Sequence, residues 1–210
     1  MENATLEYIA LMVIREQRLG LAMAPQSLWQ DRFGSQLLPL AFPGAPYLAG
    51  GPARDQALAL CAAVYGQSAI PLPATWTYGP SPRHAIDRQR AGEPATAPFL
   101  RLSRLLPGDR AANVAPRFVG IEVYRAALAG DPVLDAHVAA GVLWLSLDAL
   151  RALIPGARVS EMLRQHGVRA QLASGIALPE EAFFYLPAEY GERFVSRLAA
   201  KYGESAALPE

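Results

Sequence analysis

Apolar runs and turn residues alternate along the first part of the chain. Leu6–Ile14 reads as a buried strand and Leu19–Ala24 as its hairpin partner, with Arg15-Glu16-Gln17-Arg18 as the turn. Pro25–Gly34 follows as a loop or short helical turn carrying Trp29, whose indole is expected to shield the edge of the core rather than touch a ligand. Leu37–Gly66 then gives an apolar extended run, the turn residues Phe42-Pro43-Gly44 and Gly50-Gly51-Pro52, and a helix from Arg54 to Tyr65. Gly66 is its stop, because glycine lacks the Cβ that disfavours a left-handed residue. Ala57, Leu58, Leu60, Cys61, Val64 and Tyr65 nearly encircle that helix, which predicts cover on more than one side.

Residues from about 70 to 98 hold Pro71, Pro73, Pro80, Pro82, Pro94 and Pro98, so the expectation there is a long loop with one strand near Trp76. Pro98–Leu106 reads as a strand, with a turn at Pro107-Gly108-Asp109. Arg117–Leu128 alternates: Val119, Ile121 and Val123 share one face, and Phe118, Gly120, Glu122 and Tyr124 the other. Gly141–Leu147 is another strand, and Ser146-Leu147-Asp148 can cap a helix running to Leu153. Ser160–His166 reads as a helix stopped by Gly167, with His166 placed to favour its C-terminal dipole. A helical extension over about 157–205 is expected to close the chain. Phe183, Phe184, Tyr185, Tyr190 and Phe194 would either pack it onto the core or form a dimer surface.

Composition narrows the function classes. At 210 residues the expectation is a single domain over 1–210. A formal charge of zero argues against nucleic acid as the main partner, since phosphate contacts need a positive field. Lys201 is the only lysine among 19 basic residues, an arginine bias that suggests a GC-rich bacterial genome. Cys61, the one cysteine, excludes an internal disulfide framework and a cysteine-based zinc site. Glu2 and Glu7 stand where a signal peptide would carry positive charge, and the apolar run after them is too short for a bilayer. A cytoplasmic protein without membrane contact is therefore expected. P-loop, G-x-G-x-x-G and G-x-S-x-G patterns are missing from the sequence.

The order of a hairpin at Tyr8–Ala24, a Pro/Gly turn, a helix at Arg54–Tyr65 and a late Trp144–Leu150 strand-to-helix segment resembles the Nudix superfamily. The resemblance covers most of residues 6–155 in outline. It implies an α/β (α+β) fold with a mixed β-sheet sandwiched between helices, and it points to a box helix whose carboxylates hold Mg²⁺ against a diphosphate. When the family's closing glycine is placed on Gly66, its Arg-Glu pair falls on Ala59 and Leu60 and its Glu-Glu pair on Ala63 and Val64. The preceding turn is also short, with only Pro52–Gln56 between Gly51 and Ala57. Magnesium takes oxygen ligands, and alanine, leucine and valine offer none. The resemblance is therefore to a degenerate member with no metal site.

Two readings of function follow. In the first, the chain binds a nucleotide-like or other anionic small molecule, or a protein partner, as a homodimer and without metal-dependent hydrolysis. Arg83, His84 and Arg88 of the proline-rich loop, with Tyr124, are its candidate ligand contacts, because the arginine fork suits phosphate and carboxylate. The same loop also reads as a solvated surface segment. In the second, an active diphosphate hydrolase has moved its acids to Glu93, Glu122 or Asp135 and uses Mg²⁺ there. Glu122 is the best catalytic candidate of that set, against the plainer reading of a strand carboxylate paired with an arginine. Asp135 with His137 could hold a metal but lacks a third ligand at sensible spacing.

Overall fold

The N-terminal apolar run folds as the expected hairpin. The computed structural model describes residues 5–34, 36–79, 87–106, 115–153, 157–165 and 167–186. In it β1 (Thr5–Arg15) pairs antiparallel with β2 (Arg18–Met23), with Val13 opposite Gly20. Glu16 and Gln17 both take positive φ, 49° and 57°, as a two-residue turn must if its twist is to match the strands. Neither is a glycine, and the Glu16 carboxylate lies 3.6 Å from the Arg15 and Arg18 guanidinium groups and 3.2 Å from that of Arg169.

Around the hairpin grows a mixed sheet. β9 (Arg117–Leu128) lies parallel to β1, and β8 (Leu100–Leu106) antiparallel to β9. Beyond β8 come β6 (Trp76–Gly79) and β7 (Asp87–Arg90). On the other flank β2 pairs with β10 (Gly141–Leu145), which pairs with β12 (Val168–Leu172). β2 also meets β3 (Leu37–Ala41), which runs parallel to β13 (Phe183–Tyr185) and through it reaches β11 (Ala157–Arg158). β4 (Gly44–Pro46) adds to β1, and β5 (Ala69–Leu72) to β9.

Both faces of this sheet are covered, so its central strand is apolar at almost every position. Ile9, Leu11 and Val13 of β1 face one side, with Tyr124, Ala126, Leu128, Val142 and Trp144. Helix α2 (Ala53–Tyr65) closes that side through Ala57, Cys61 and Tyr65. Ala10, Met12 and Ile14 face the other side, with Leu19, Leu21, Ile121, Val123, Leu143 and Leu145. Trp29 of α1 (Gln26–Phe33), Ala149 and Leu150 of α3 (Leu147–Ala152) and Met162 of α4 (Val159–Leu163) close it. The fold is α+β, a mixed sheet between helices, as expected, and Trp29 is a core residue.

Two glycines are fixed by contacts. Gly20 stands opposite Trp144, and a Cβ there would lie 2.6 Å from the indole. Gly66 has φ of 61°, donates its N–H to the Ala62 carbonyl at 3.0 Å, and would put a Cβ 2.6 Å from the Val133 carbonyl oxygen. It stops α2 as its position in the sequence implied. Ser146 also caps α3 as expected, its Oγ accepting from the Ala149 N–H at 3.2 Å.

Three expectations need correction. Helix α2 is covered on one face only: its buried residues recur every fourth position, while Ala59, Ala62 and Ala63 are exposed. Small alanines made the helix look apolar all round without making it buried. The 70–98 stretch is not one loop with a single strand, since β5, β6 and β7 all fall in it or overlap it. Pro71 fits because, among the described residues, β5 pairs on one side only, with β9, so a missing N–H costs no central ladder bond. The stretch from 157 is not purely helical: β11, α4, β12 and β13 occupy it through Tyr185. The turn at 107–109, His166, Tyr190, Phe194 and the rest of the expected extension lie outside the described residues. Among the described residues no helix is long and apolar enough to cross a membrane.

Candidate functional site

Strand β9 carries the site because its α2-facing side changes character along its length. Leu128 and Ala126 are buried under the helix, Tyr124 has a buried ring, and Glu122 emerges beyond it. The alternation read from the sequence thus puts Glu122 and Tyr124 on one face, and the structure shows what they meet. The Tyr124 hydroxyl donates to Glu122 Oε2 at 2.6 Å. Arg101, opposite Glu122 in the β8–β9 ladder, donates Nε–H to Glu122 Oε1 at 3.0 Å. Burial, and then the Glu122 carboxylate, push the Tyr124 phenol well above its ordinary value, so it remains a donor throughout the physiological range.

These three groups form one wall of a cleft of about 360 Å³. Thr77 of β6, Gln89 and Arg90 of β7, and the 91–98 segment with Glu93 and Thr96 complete it. That segment is fastened at several points. The Thr77 hydroxyl donates to the Pro98 carbonyl at 2.7 Å, Ala74 N–H to the Pro94 carbonyl at 2.9 Å, and Ala91 N–H to the Thr75 carbonyl at 3.0 Å. Within it the Thr96 hydroxyl donates to Glu93 Oε2 at 3.0 Å. On the back of the wall Arg125 is buried, donates to the Pro73 carbonyl at 2.5 Å and lies 4.6 Å over the Phe99 ring.

Of the residues singled out from the sequence, Glu122, Tyr124 and Glu93 meet in this cleft. Arg88 lies in β7 with its backbone paired to Tyr78. Arg83 and His84 lie outside the described residues. Asp135 is engaged in its own turn, its Oδ1 accepting the His137 N–H at 2.9 Å. Among the described residues no three His, Cys, Asp or Glu side chains cluster so as to hold a metal ion. Sequence reasoning missed Arg101, Gln89, Arg90 and Thr77. An Arg opposite a Glu is a readable signal once the register of β8 on β9 is known, but the register comes from the folded ladder.

The magnesium site implied by the resemblance can be tested on α2 itself. Ala59 and Ala63 are exposed, Leu60 is half-buried, and Val64 packs against the core beside Tyr65. None carries an oxygen donor, so these residues do not fit a magnesium ion. The short turn before the helix is closed by an amide instead. Gln56 accepts the Leu48 N–H at 3.0 Å and donates to the Leu48 and Gly51 carbonyls at 2.7 and 3.3 Å. Cys61 is buried on the same helix, and burial pushes its thiol up to about 11, which suits a core residue and not a nucleophile.

No family model matches the chain, and no curated protein does. Solved structures do. One is a NUDIX hydrolase from Nitrosomonas europaea, 13% identical over 71% of this chain and 77% of that one, with a TM-score of 0.40. Another is the E. coli ORF135 protein, 15% identical over 70% of this chain and 79% of that one, with a TM-score of 0.40. A third is an ADP-ribose pyrophosphatase from Streptococcus suis 89-1591, 8% identical over 67% of this chain and 73% of that one, with a TM-score of 0.38. The chain is similar to these in outline; the chemistry of its site rests on its own residues.

Proposed function

We propose that this chain is a degenerate Nudix-like module that binds a small polar molecule in the cleft between β6, β8 and β9 and does not hydrolyse diphosphates through a metal ion. One observation carries the reading: the helix positions that would supply magnesium ligands are Ala59, Leu60, Ala63 and Val64. The cleft supports it from the other side. Its volume of about 360 Å³ lies within the range of small-molecule sites, and its walls converge several donors and acceptors. Mixing the protein with Mg²⁺ and a panel of nucleoside diphosphate compounds is expected to release no phosphate. Robust turnover would refute this reading.

The competing reading is a hydrolase with relocated acids. It requires a cation to compete at Glu122 with Arg101 on one oxygen and Tyr124 on the other. It expects Mg²⁺ to raise the melting temperature and Glu122→Gln to abolish both that rise and the turnover. The homodimer is likewise a proposal, supported by the exposure of Phe183 and Tyr185 on β13. Sedimentation showing only monomer at high concentration overturns it.

A further inference from the structure

We infer that Arg101 is the anchor of the cleft for a single oxyanion, carboxylate or phosphate, and that Glu122 is the positioning residue that aims it. The inference rests on the cleft being a ligand site and names the ligand's class. A guanidinium offers five N–H donors in a plane, and its outer pair matches the spacing of two oxygens on one anion. Arg101 spends only Nε–H on Glu122. Its Nη1 and Nη2 have no hydrogen-bond partner among the described residues, and its side chain is 55% exposed where it lines the cleft.

Glu122 holds the fork in that attitude because it cannot easily turn. Its second oxygen receives the Tyr124 hydroxyl at 2.6 Å, and its side chain is 17% exposed. With Nε–H on one oxygen and the Tyr124 hydroxyl on the other, the carboxylate is held from both sides, and the Tyr124 ring is itself fixed in the core beside the buried residues of α2. The tyrosine therefore locks the carboxylate, the carboxylate fixes the plane of the guanidinium, and the outer fork is left for the ligand.

Charge limits what that ligand is. The charged side chains described in the cleft are Arg90, Arg101, Glu93 and Glu122, which sum to zero. One of the two positive charges is already opposed by Glu122. Among the described side chains a polyphosphate meets no net positive charge, whereas a lone oxyanion can use the Arg101 fork alone. Glu93, exposed on the facing segment, accepts from Thr96 and has capacity for further donors. The fitting class is a small molecule with one acidic group and an amino, amide or hydroxyl donor a few bonds away.

The test follows the backbone amide and arginine Nε–H resonances of the full-length, ¹⁵N-labelled protein during titration with sodium acetate, inorganic phosphate and, separately, pyrophosphate, the variants being read from the backbone amides that line the cleft. Acetate or phosphate is expected to shift the Arg101 signal saturably, and whichever binds tighter identifies the oxyanion. Arg101→Lys, which keeps the charge and loses the fork, is expected to weaken binding about tenfold. Glu122→Gln and Tyr124→Phe are expected to weaken it about threefold each, with the backbone spectrum otherwise preserved. Tighter binding in Glu122→Gln overturns the positioning role, because it would make Glu122 a competitor of the ligand. Shifts confined to Gln89, Glu93 and Thr96, unaffected by Arg101→Lys, overturn the anchor while leaving the cleft as a binding site. Magnesium-dependent phosphate release overturns the functional reading beneath both.

Discussion

Glu122 and Leu128 share one face of one strand and sit in opposite chemistry. At the Leu128 end that face is sealed by α2, and the aromatic pair Tyr65 and Trp144 stacks at 6.4 Å between centroids. At the Glu122 end it opens into a cleft where every described wall contributes a polar group. The two ends treat their phenols differently. Tyr65 is fully buried and its hydroxyl, like the Trp144 indole N–H, has no partner among the described residues. Tyr124 stands at the boundary, and its hydroxyl reaches Glu122 at 2.6 Å. Leaving a buried donor unmet costs about 1–3 kcal/mol, and burying a large aromatic ring returns a similar or larger amount. The sealed end accepts the unmet donors for the sake of packing. At the open end Glu122 takes a donor on each oxygen, and the Arg101 side chain stays more than half exposed.

Breaking the sealed end has the largest expected effect. Trp144→Ala should cost about 3–5 kcal/mol, read as a fall in the urea midpoint, because the cavity beside Gly20 and Tyr65 cannot fully collapse. A loss below about 1 kcal/mol would mean that the pair is not packed as described. Next come two neighbours on α2. Val64→Glu should cost about 1–3 kcal/mol since Val64 packs against the core, while Ala63→Glu on the exposed face should stay within about 0.5 kcal/mol. Equal costs would erase the distinction between a helix face pressed on the sheet and one turned to solvent.

The open end should be energetically soft. Tyr124→Phe and Glu122→Gln are each expected to cost about 1 kcal/mol or less in stability, since the Arg101 partner is more than half exposed. A loss as large as that of Trp144→Ala would make the cleft a structural network instead of a ligand site. The smallest effect belongs to Glu7, whose carboxyl is held below its usual value of 4.5 by the hydrogen bond from Arg117. A lowered acid stabilises the fold above its unfolded value, and that stability is lost as pH falls through the lowered one. Glu7→Gln should therefore be slightly less stable than the parent at about pH 6 and indistinguishable from it at about pH 2. A difference that grew on acidification would reverse the sign of the pairing.

Much of the fold was legible in the chain because its determinants are local. Apolar alternation announced β9, the polar Arg15–Arg18 tetrad announced the hairpin turn, and Gly66 announced the end of α2. The misreadings were of two kinds. Alanine counts as apolar wherever it sits, so Ala59, Ala62 and Ala63 disguised the exposed face of α2. Proline forbids a central ladder bond but not an edge one, so β5 and β7, on either side of the expected strand near Trp76, were hidden by the residues around them.

For the site, the sequence by itself determined which donors α2 lacks and which residues of β9 share a face. Both follow from residue identity and from a backbone that repeats every two positions. Only the tertiary structure decided that Arg101 stands across from Glu122, that the 91–98 segment closes the cleft, and that Tyr124 joins the sealed end to the open one. Those facts depend on register between strands and on which face a helix covers. Register and cover are set by the packing of the whole sheet, where sliding a strand by one residue exchanges every buried side chain for an exposed one.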